Sequence, residues 1–285
     1  MGWMRFSRLV RTAAVPIAWS GRDARGPSGG ALVLAFALAV TAFAGSANAD
    51  EVKVLSAGAM RAILQQVGPE FEKSGHHLSV IYATAGGVEQ KIEAGDSFDV
   101  ALLTKPRLDK LAQSGKVDGG SIAVLGRSPI ALAVKAGAPK PDISSVEAVK
   151  KALLAAKSVA YTDPASGGTS GIHFAKELER LGIAGQVRGK PIQGVGGAPP
   201  AVGEAVAKGE AELGAQPISE LNGVAGIDVV GPLPAEMQTP ELTYAAALAK
   251  SPPDAAAAKA LMAVLTGPDG AAAVKAKGLL PGDGH

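Results

Sequence analysis

The chain has no cysteine, few histidines and few aromatic side chains. Its 285 residues include four His, and Phe, Trp and Tyr together make up 4%. The lack of Cys excludes disulfide bonds and thiolate chemistry, and a chain of this length can bury a sizeable core without them. The His residues show no spacing typical of metal ligands, so we expect no metal site. After residue 49 the chain contains neither a P-loop nor a G-x-S-x-G motif, and we expect no cofactor.

The first 49 residues have the composition of an export signal. Five Arg precede an apolar run over residues 31–44, and Ala47-Asn48-Ala49 supplies the small residues of a cleavage site. We predict a signal peptide over residues 1–49, cleaved after Ala49 to release a periplasmic protein. The alternative is a membrane anchor, but the apolar run is shorter than the roughly 20 residues that span a bilayer.

The leader also accounts for the positive charge of the whole chain. It carries five Arg and one Asp, so that of 28 basic and 26 acidic residues, 23 and 25 remain after cleavage. A nearly neutral mature chain gives no electrostatic reason to expect a nucleic-acid partner.

After the leader, short apolar strands alternate with small-residue turns and amphipathic helices. Such units predict parallel sheets with right-handed crossovers, and ligands bind at the carboxyl ends of their strands. The turn between Tyr161 and His173 is the most informative, because Ser166–Gly171 are all small. Backbone N–H groups at the start of the following helix could hold an anion. An ordinary Thr or Ser helix cap would explain the same residues.

The order of elements predicts an α/β fold of two lobes, each a mainly parallel sheet flanked by helices. We expect the chain to cross between the lobes near residues 124–134 and 240–247. Residues 50–128 and 241–285 would form lobe 1, and residues 129–240 lobe 2. A cleft between two such lobes can close like a hinge over a small ligand.

Several segments resemble the molybdate-binding protein family of ABC transporters. They are Val54–Met60, Gln90–Val100, Tyr161–Gly182 and Leu265–Gly278. The resemblance covers residues 50–280 and implies the fold of type II periplasmic binding proteins. It also implies delivery of a small anionic ligand to the membrane permease of an ABC transporter, by a receptor that is usually a monomer.

The turns that would hold the ligand depart from the pattern of that family. Ala59 and Ala85 stand where its members usually have hydroxyl side chains, and Gly214–Ile218 lacks the family's late Tyr. Each hydrogen bond lost from a buried oxyanion costs roughly 1.5–3 kcal/mol. Arg side chains near strand ends suit carboxylates instead. We therefore expect an organic polyacid to fit better than molybdate.

The residues predicted to contact the ligand come from strand ends, small-residue turns and helix starts. Solvated or packing roles remain open for the two Arg and the His among them. They are Gly58, Ala59, Met60, Ala85, Gly86, Thr104, Arg107, Arg127, Thr169, Ser170, His173, Gln193 and Gln216.

Two functions are compatible with the resemblance. The first is an exported solute-binding protein that captures an oxyanion or carboxylate for an ABC-type permease. The second is a periplasmic enzyme, because aconitate isomerases resemble the same family and act on trans-aconitate. Such an enzyme needs cationic clamps and a group that moves a proton between carbons. His173 is one candidate for that group, since imidazole titrates near neutral pH, and a carboxylate or a Lys elsewhere in the chain is the other.

Overall fold

The computed structural model of the protein describes residues 51–187, 189–192 and 202–282. All of them belong to one compact unit, Ser46–His285. The predicted signal peptide and Gln193 lie outside the described residues.

The first sheet combines strands from both ends of the described chain. They are β1 (Glu51–Ala57), β2 (His77–Ala83), β3 (Val100–Thr104), β4 (Ala123–Arg127) and β10 (Thr243–Leu248). Their order across the sheet is β2-β1-β3-β10-β4. β1 pairs in parallel with β2 and β3, whereas β10 runs antiparallel to β3 and β4. The helices packed on these strands are α1 (Arg61–Glu72), α2 (Ala85–Ala94), α3 (Lys105–Gln113), α8 (Ala255–Thr266) and α9 (Pro268–Ala276).

The second sheet repeats this plan with the middle of the chain. Its strands are β5 (Ile130–Lys135), β6 (Val159–Thr162), β7 (Gly189–Ile192), β8 (Leu213–Pro217) and β9 (Ile227–Pro232), in the order β7-β6-β8-β5-β9. β6 pairs in parallel with β7 and β8, and β5 runs antiparallel to β8 and β9. The helices of this half are α4 (Val146–Ala155), α5 (Thr169–Arg180), α6 (Val202–Lys208) and α7 (Ile218–Leu221).

Continuous apolar strands place both sheets in the interior. All five residues of β3 and the first five of β5 are buried, as expected for strands covered on both faces. Phe71 on α1 and Phe174 on α5 are the largest of the fully enclosed side chains. Each half of the chain therefore has its own helix-covered sheet.

Side-chain caps fix where two of the helices begin. The Thr84 hydroxyl accepts a hydrogen bond from the Gly87 N–H at 3.1 Å, so α2 begins at Ala85. Gly86 and Gly87 lie in the first turn of this helix. In the same way the Ser145 hydroxyl accepts a hydrogen bond from the Ala148 N–H and caps α4.

The chain crosses between the halves twice. Ser128 and Pro129 join β4 to β5, and residues 233–242 join β9 to β10. The Gln238 side chain on the second crossing exchanges hydrogen bonds of 2.9 Å with the backbone N–H and C=O of Ile130, just past the first. This is the predicted two-lobe α/β arrangement, although each sheet is mixed rather than mainly parallel. In the part of the chain described here, no helix is both long and apolar enough to cross a membrane.

Candidate functional site

A small pocket lies where the strand ends of the two lobes meet. Its volume is about 20 Å³, which is enough for about one water molecule. We call it the central pocket. It is lined by Ala57, Gly58, Ala59, Ala83, Thr84, Ala85 and Tyr244 of the first lobe, and by Thr162, Gly168, Thr169, Ser170 and Glu220 of the second.

The Ser166–Gly167 turn of the second lobe contacts the first lobe directly. The carbonyl oxygen of Gly167 accepts hydrogen bonds of 3.1 Å from the Gly86 N–H and from Nη2 of Arg107. The Thr84 hydroxyl donates to the Ser166 carbonyl at 2.5 Å. A Cβ on Gly86 would lie 2.8 Å from the Gly167 oxygen. Glycine at position 86 is therefore what lets the two lobes approach so closely.

The start of α5 presents a hydroxyl that needs a partner. Thr169 is 8% exposed, and its Oγ1 is buried with no hydrogen-bond partner in the described part of the chain. Close packing on β6 fixes this helix start, because a Cβ on Gly171 would lie 2.0 Å from the Thr162 carbonyl oxygen. A buried hydroxyl without a partner is costly. Because Thr169 lines the central pocket, a ligand there is the natural partner.

Glu220 brings a carboxyl group to the central pocket. It lies on the short helix α7, and its Oε2 accepts a hydrogen bond of 2.7 Å from Nε2 of Gln216. Burial raises its pKa to about 8, with Arg61 opposing the shift and Glu204 adding to it. The carboxyl is thus mostly protonated at neutral pH and can both donate and accept a proton.

Tyr244 faces the same pocket from strand β10. It is 3% exposed, and its pKa is raised by burial first and by the charge of Glu220 second, while Arg107 acts to lower it. The phenol therefore stays protonated at neutral pH and can donate a hydrogen bond to an anion. A Tyr is thus present at the site, although it lies on β10 and not in Gly214–Ile218, where the family resemblance places one.

A larger space adjoins the central pocket and shares Gly58 and Glu220 with it. Its volume is about 600 Å³. We call it the chamber. Its charged lining residues are Arg61 and Lys277 from the first lobe and Glu204 and Glu220 from the second. The Arg61 guanidinium lies 4.6 Å from the ring centroid of Tyr82.

On the other side of the central pocket, a space of about 310 Å³ contains a charge cluster. Arg107 and Lys110 both bind the carboxylate of Glu89, which is 9% exposed. Burial acts to raise the pKa of Glu89, but the hydrogen bond from Lys110 and the charge of Arg107 outweigh it and lower the pKa. Arg107 thus contacts the second lobe through the Gly167 carbonyl oxygen, and its ion pair with Glu89 of its own lobe orients it for that contact.

The predicted ligand contacts are distributed over these spaces. Five of them line the central pocket, Thr104 and Arg107 line the smaller side space, and Gln216 lines the chamber. The five are Gly58, Ala59, Ala85, Thr169 and Ser170. Gly86 contributes to the lobe contact instead.

Three predicted contacts lie elsewhere, and Gln193 falls outside the described residues. The Met60 side chain is fully buried in the core. His173 Nε2 is 3.0 Å from the Met237 carbonyl oxygen, and His173 lines none of the three spaces. Arg127 lies at the end of β4, where its backbone pairs with Leu280 and its Nε is buried without a hydrogen bond in the described chain.

Sequence reasoning missed Glu220 and Arg61. A Glu after a buried strand is usually solvated, and Arg61 at the start of a helix looks like an ordinary surface residue. The only sequence signal for Glu220 was its neighbour Gln216, a buried amide that requires partners. Among residues 51–187 and 202–282, no group of three or more His, Asp or Glu side chains could hold a metal ion.

Comparisons with known proteins agree with this architecture. The periplasmic molybdate-binding protein of Azotobacter vinelandii superposes with a TM-score of 0.65 at 24% identity, covering 80% of this chain and 98% of that one. The sulfate-binding protein SubI of Mycobacterium tuberculosis superposes with a TM-score of 0.63 at 17% identity, covering 82% and 88%. At these identities the similarity establishes the fold, which is that of type II periplasmic binding proteins.

A more similar relative in sequence is an enzyme. The aconitate isomerase of a Pseudomonas species is 37% identical over 254 residues, which cover 87% of this chain and 94% of that protein. The sequence profile of bacterial extracellular solute-binding proteins matches residues 52–280. The chain therefore belongs to the family of bacterial extracellular solute-binding proteins.

Proposed function

We propose that this protein binds a small polycarboxylate between its lobes and interconverts its double-bond isomers, as an aconitate isomerase would. The observation that carries the proposal is Glu220. A carboxyl group aimed into an anion site repels its ligand when ionised. It serves a purpose there only if it is protonated or exchanges a proton with the ligand.

The required chemistry is a proton shift between two carbons. Aconitate has a methylene carbon and a vinylic CH carbon on either side of its central carbon, and each bears a carboxylate. The Glu220 carboxylate removes a methylene proton, and the electron pair left behind spreads over the three carbons. Protonated Glu220 then returns the proton to the opposite carbon, so that the double bond moves and its geometry can change. All atoms are conserved, and no other reactant is needed.

The surroundings of Glu220 suit this role. A general base works best with a pKa near the working pH, and the pKa of Glu220 is about 8. The Tyr244 phenol and the unpartnered Thr169 hydroxyl are donors for the carboxylate that receives charge during proton removal. The identity of 37% to an aconitate isomerase supports the same assignment.

The direct test is to incubate trans-aconitate with the protein and measure formation of the cis isomer by chromatography. Glu220→Gln should lower kcat by about 100-fold or more, because it removes the group that carries the proton. Glu179→Gln, an exposed change on α5, is the matched control and should leave the rate unchanged. If the unaltered protein produces no cis isomer, the enzymatic proposal is wrong.

A second candidate is a transport receptor. Membership of the solute-binding family and the fold shared with molybdate- and sulfate-binding proteins favour it. In this case the protein is exported by its cleaved leader, acts as a monomer in the periplasm, and delivers an anion to an ABC permease. A thermal-shift screen separates the ligand classes, since a ligand at 100 times its Kd adds roughly 2.7 kcal/mol of stability. A large shift with molybdate or sulfate and none with carboxylates would favour the receptor.

A further inference from the structure

We propose that the chamber is a subsite in which Arg61 and Lys277 hold the carboxylate on the end carbon farther from Glu220, which makes the protein selective for polycarboxylates with a carboxylate at both ends. The inference rests on the proposed function for the class of substrate. It adds the residues that select within that class.

The chamber is much larger than the central pocket. The central pocket has a volume of about 20 Å³ and the chamber about 600 Å³. They meet at Gly58 and Glu220, which line both. A ligand whose reacting carbon lies at Glu220 must therefore extend into the chamber if it is longer than a few atoms. A compact tetrahedral oxyanion would not reach the chamber's far wall.

Arg61 is a cation held in place and free to bind. Its guanidinium lies over the Tyr82 ring, at 4.6 Å from the centroid, which restricts the side chain. Arg61 forms no ion pair with any residue in the described ranges. A planar guanidinium that is fixed before binding suits a carboxylate and loses little entropy on binding it.

Lys277 reaches the chamber from the end of α9, and the second lobe fixes its backbone. Nδ2 of Asn222 donates a hydrogen bond of 3.0 Å to the Lys277 carbonyl oxygen. The two lobes thus meet at this point as well, and Lys277 is held at the chamber wall when they do. Like Arg61, it has no ion-pair partner among the described residues.

The charge balance of the chamber favours an anion. The ionisable groups that line it are Arg61, Lys277, Glu204 and Glu220. Burial keeps the Glu220 carboxyl mostly protonated at pH 7, because its pKa is about 8. Two cations then face one carboxylate, that of Glu204, and a bound carboxylate would neutralise the remaining charge.

Two saturated ligands that cannot isomerise test the subsite without depending on catalysis. Propane-1,2,3-tricarboxylate has carboxylates at both ends, and methylsuccinate has a methyl group in place of one carboxymethyl arm, so it lacks one terminal carboxylate. Calorimetric titration of the protein, expressed with its leader and purified after export, gives Kd for each ligand. The variants are Arg61→Gln and Lys277→Gln, with Lys275→Gln as the matched control, because Lys275 is exposed on the same helix and lies outside the chamber lining.

We expect Arg61→Gln and Lys277→Gln each to weaken binding of the tricarboxylate by about tenfold and binding of methylsuccinate by less than about twofold. Lys275→Gln should change neither. Comparing the two ligands removes any indirect effect of Arg61 on Glu220, since such an effect acts on both. Equal weakening of the two ligands, no weakening of either, or no binding of the tricarboxylate by the unaltered protein would overturn the subsite.

The same samples distinguish failure of the subsite from failure of the proposed function. If the protein isomerises trans-aconitate but the variants do not discriminate between the two saturated ligands, only the subsite is wrong. If discrimination is observed but no isomerisation occurs, the enzymatic function is wrong and the chamber remains a polycarboxylate subsite.

Discussion

The buried carboxyl of Glu220 should make the stability of this protein fall as the pH rises from about 4.5 to about 8. Its pKa is about 8 in the folded protein, against 4.5 for an ordinary Glu. In that interval the unfolded chain loses the proton while the folded chain keeps it. Unfolding is therefore favoured by up to about 1.4 kcal/mol for each pH unit. The stabilising contribution is fully present below pH 4.5 and is lost once the pH exceeds 8.

The size of the effect can be bounded. The full shift corresponds to about 5 kcal/mol. The Glu220 side chain as a whole is only partly buried, so solvent screening reduces this to about 3 kcal/mol. For a chain of this length, 1 kcal/mol changes the melting temperature by about 2–4 °C. Glu220→Gln keeps the shape of the side chain and an acceptor for the Gln216 amide, but it cannot ionise. The variant should therefore gain about 6–12 °C over the unaltered protein as the pH rises.

The assay is thermal unfolding followed by circular dichroism at half-unit steps from pH 4.5 to pH 9, without ligand. The two melting temperatures should be similar at pH 4.5, diverge through neutral pH and run parallel above pH 8. Glu179→Gln is the control and should track the unaltered protein throughout. If the difference in melting temperature between Glu220→Gln and the unaltered protein is the same at every pH, Glu220 has an ordinary pKa and is not suited to move a proton at neutral pH.

Three further changes test the cleft. Gly86→Ala places a methyl group 2.8 Å from the Gly167 oxygen, so the lobes should stay further apart, with a larger radius of gyration in solution scattering and weaker ligand binding. Thr169→Val removes a buried hydroxyl that has no hydrogen-bond partner in the described chain, so thermal stability should be unchanged or higher. Ligand affinity, measured by calorimetry, should fall by about tenfold. His173→Gln should retain isomerase activity within about threefold in a rate assay, because the His173 ring faces the Met237 carbonyl oxygen. A loss of about 100-fold would show that His173 takes part in the proton transfer.

The sequence predicts the fold well where apolar runs are long and turns are small. β3 and β5 are recognisable because nearly all of their residues are buried. β4 (Ala123–Arg127) was not predicted, because four of its five residues are only partly buried and its apolar pattern is weak. It is a strand because β10 pairs with it from more than a hundred residues away, and such a partner cannot be read from local sequence.

The residues of the candidate site were also predicted only in part. Residues in small-residue turns, such as Ala59, Ala85 and Thr169, were predicted because strand ends in open α/β sheets converge. Glu220 and Arg61 were not, because their importance depends on which groups the opposite lobe brings near them. The proton affinity of Glu220 depends on its burial in the folded protein. Arg61 is held over Tyr82 of its own lobe, but it faces Glu204 and Glu220 across the chamber only when the second lobe is in place.

The Ser166–Gly167 turn matters for anyone who would make a fluorescent sensor from this protein. Its hydrogen bonds to Thr84, Gly86 and Arg107 favour closure by about 1 kcal/mol each, independently of what binds. Some of the ligand-free protein would then already be closed. Two dyes placed on opposite lobes would report only the further closure that the ligand causes, so the change in signal would be smaller. Thr84→Val removes one of these bonds together with the cap of α2, and we expect it to lower the apparent affinity and widen the signal range.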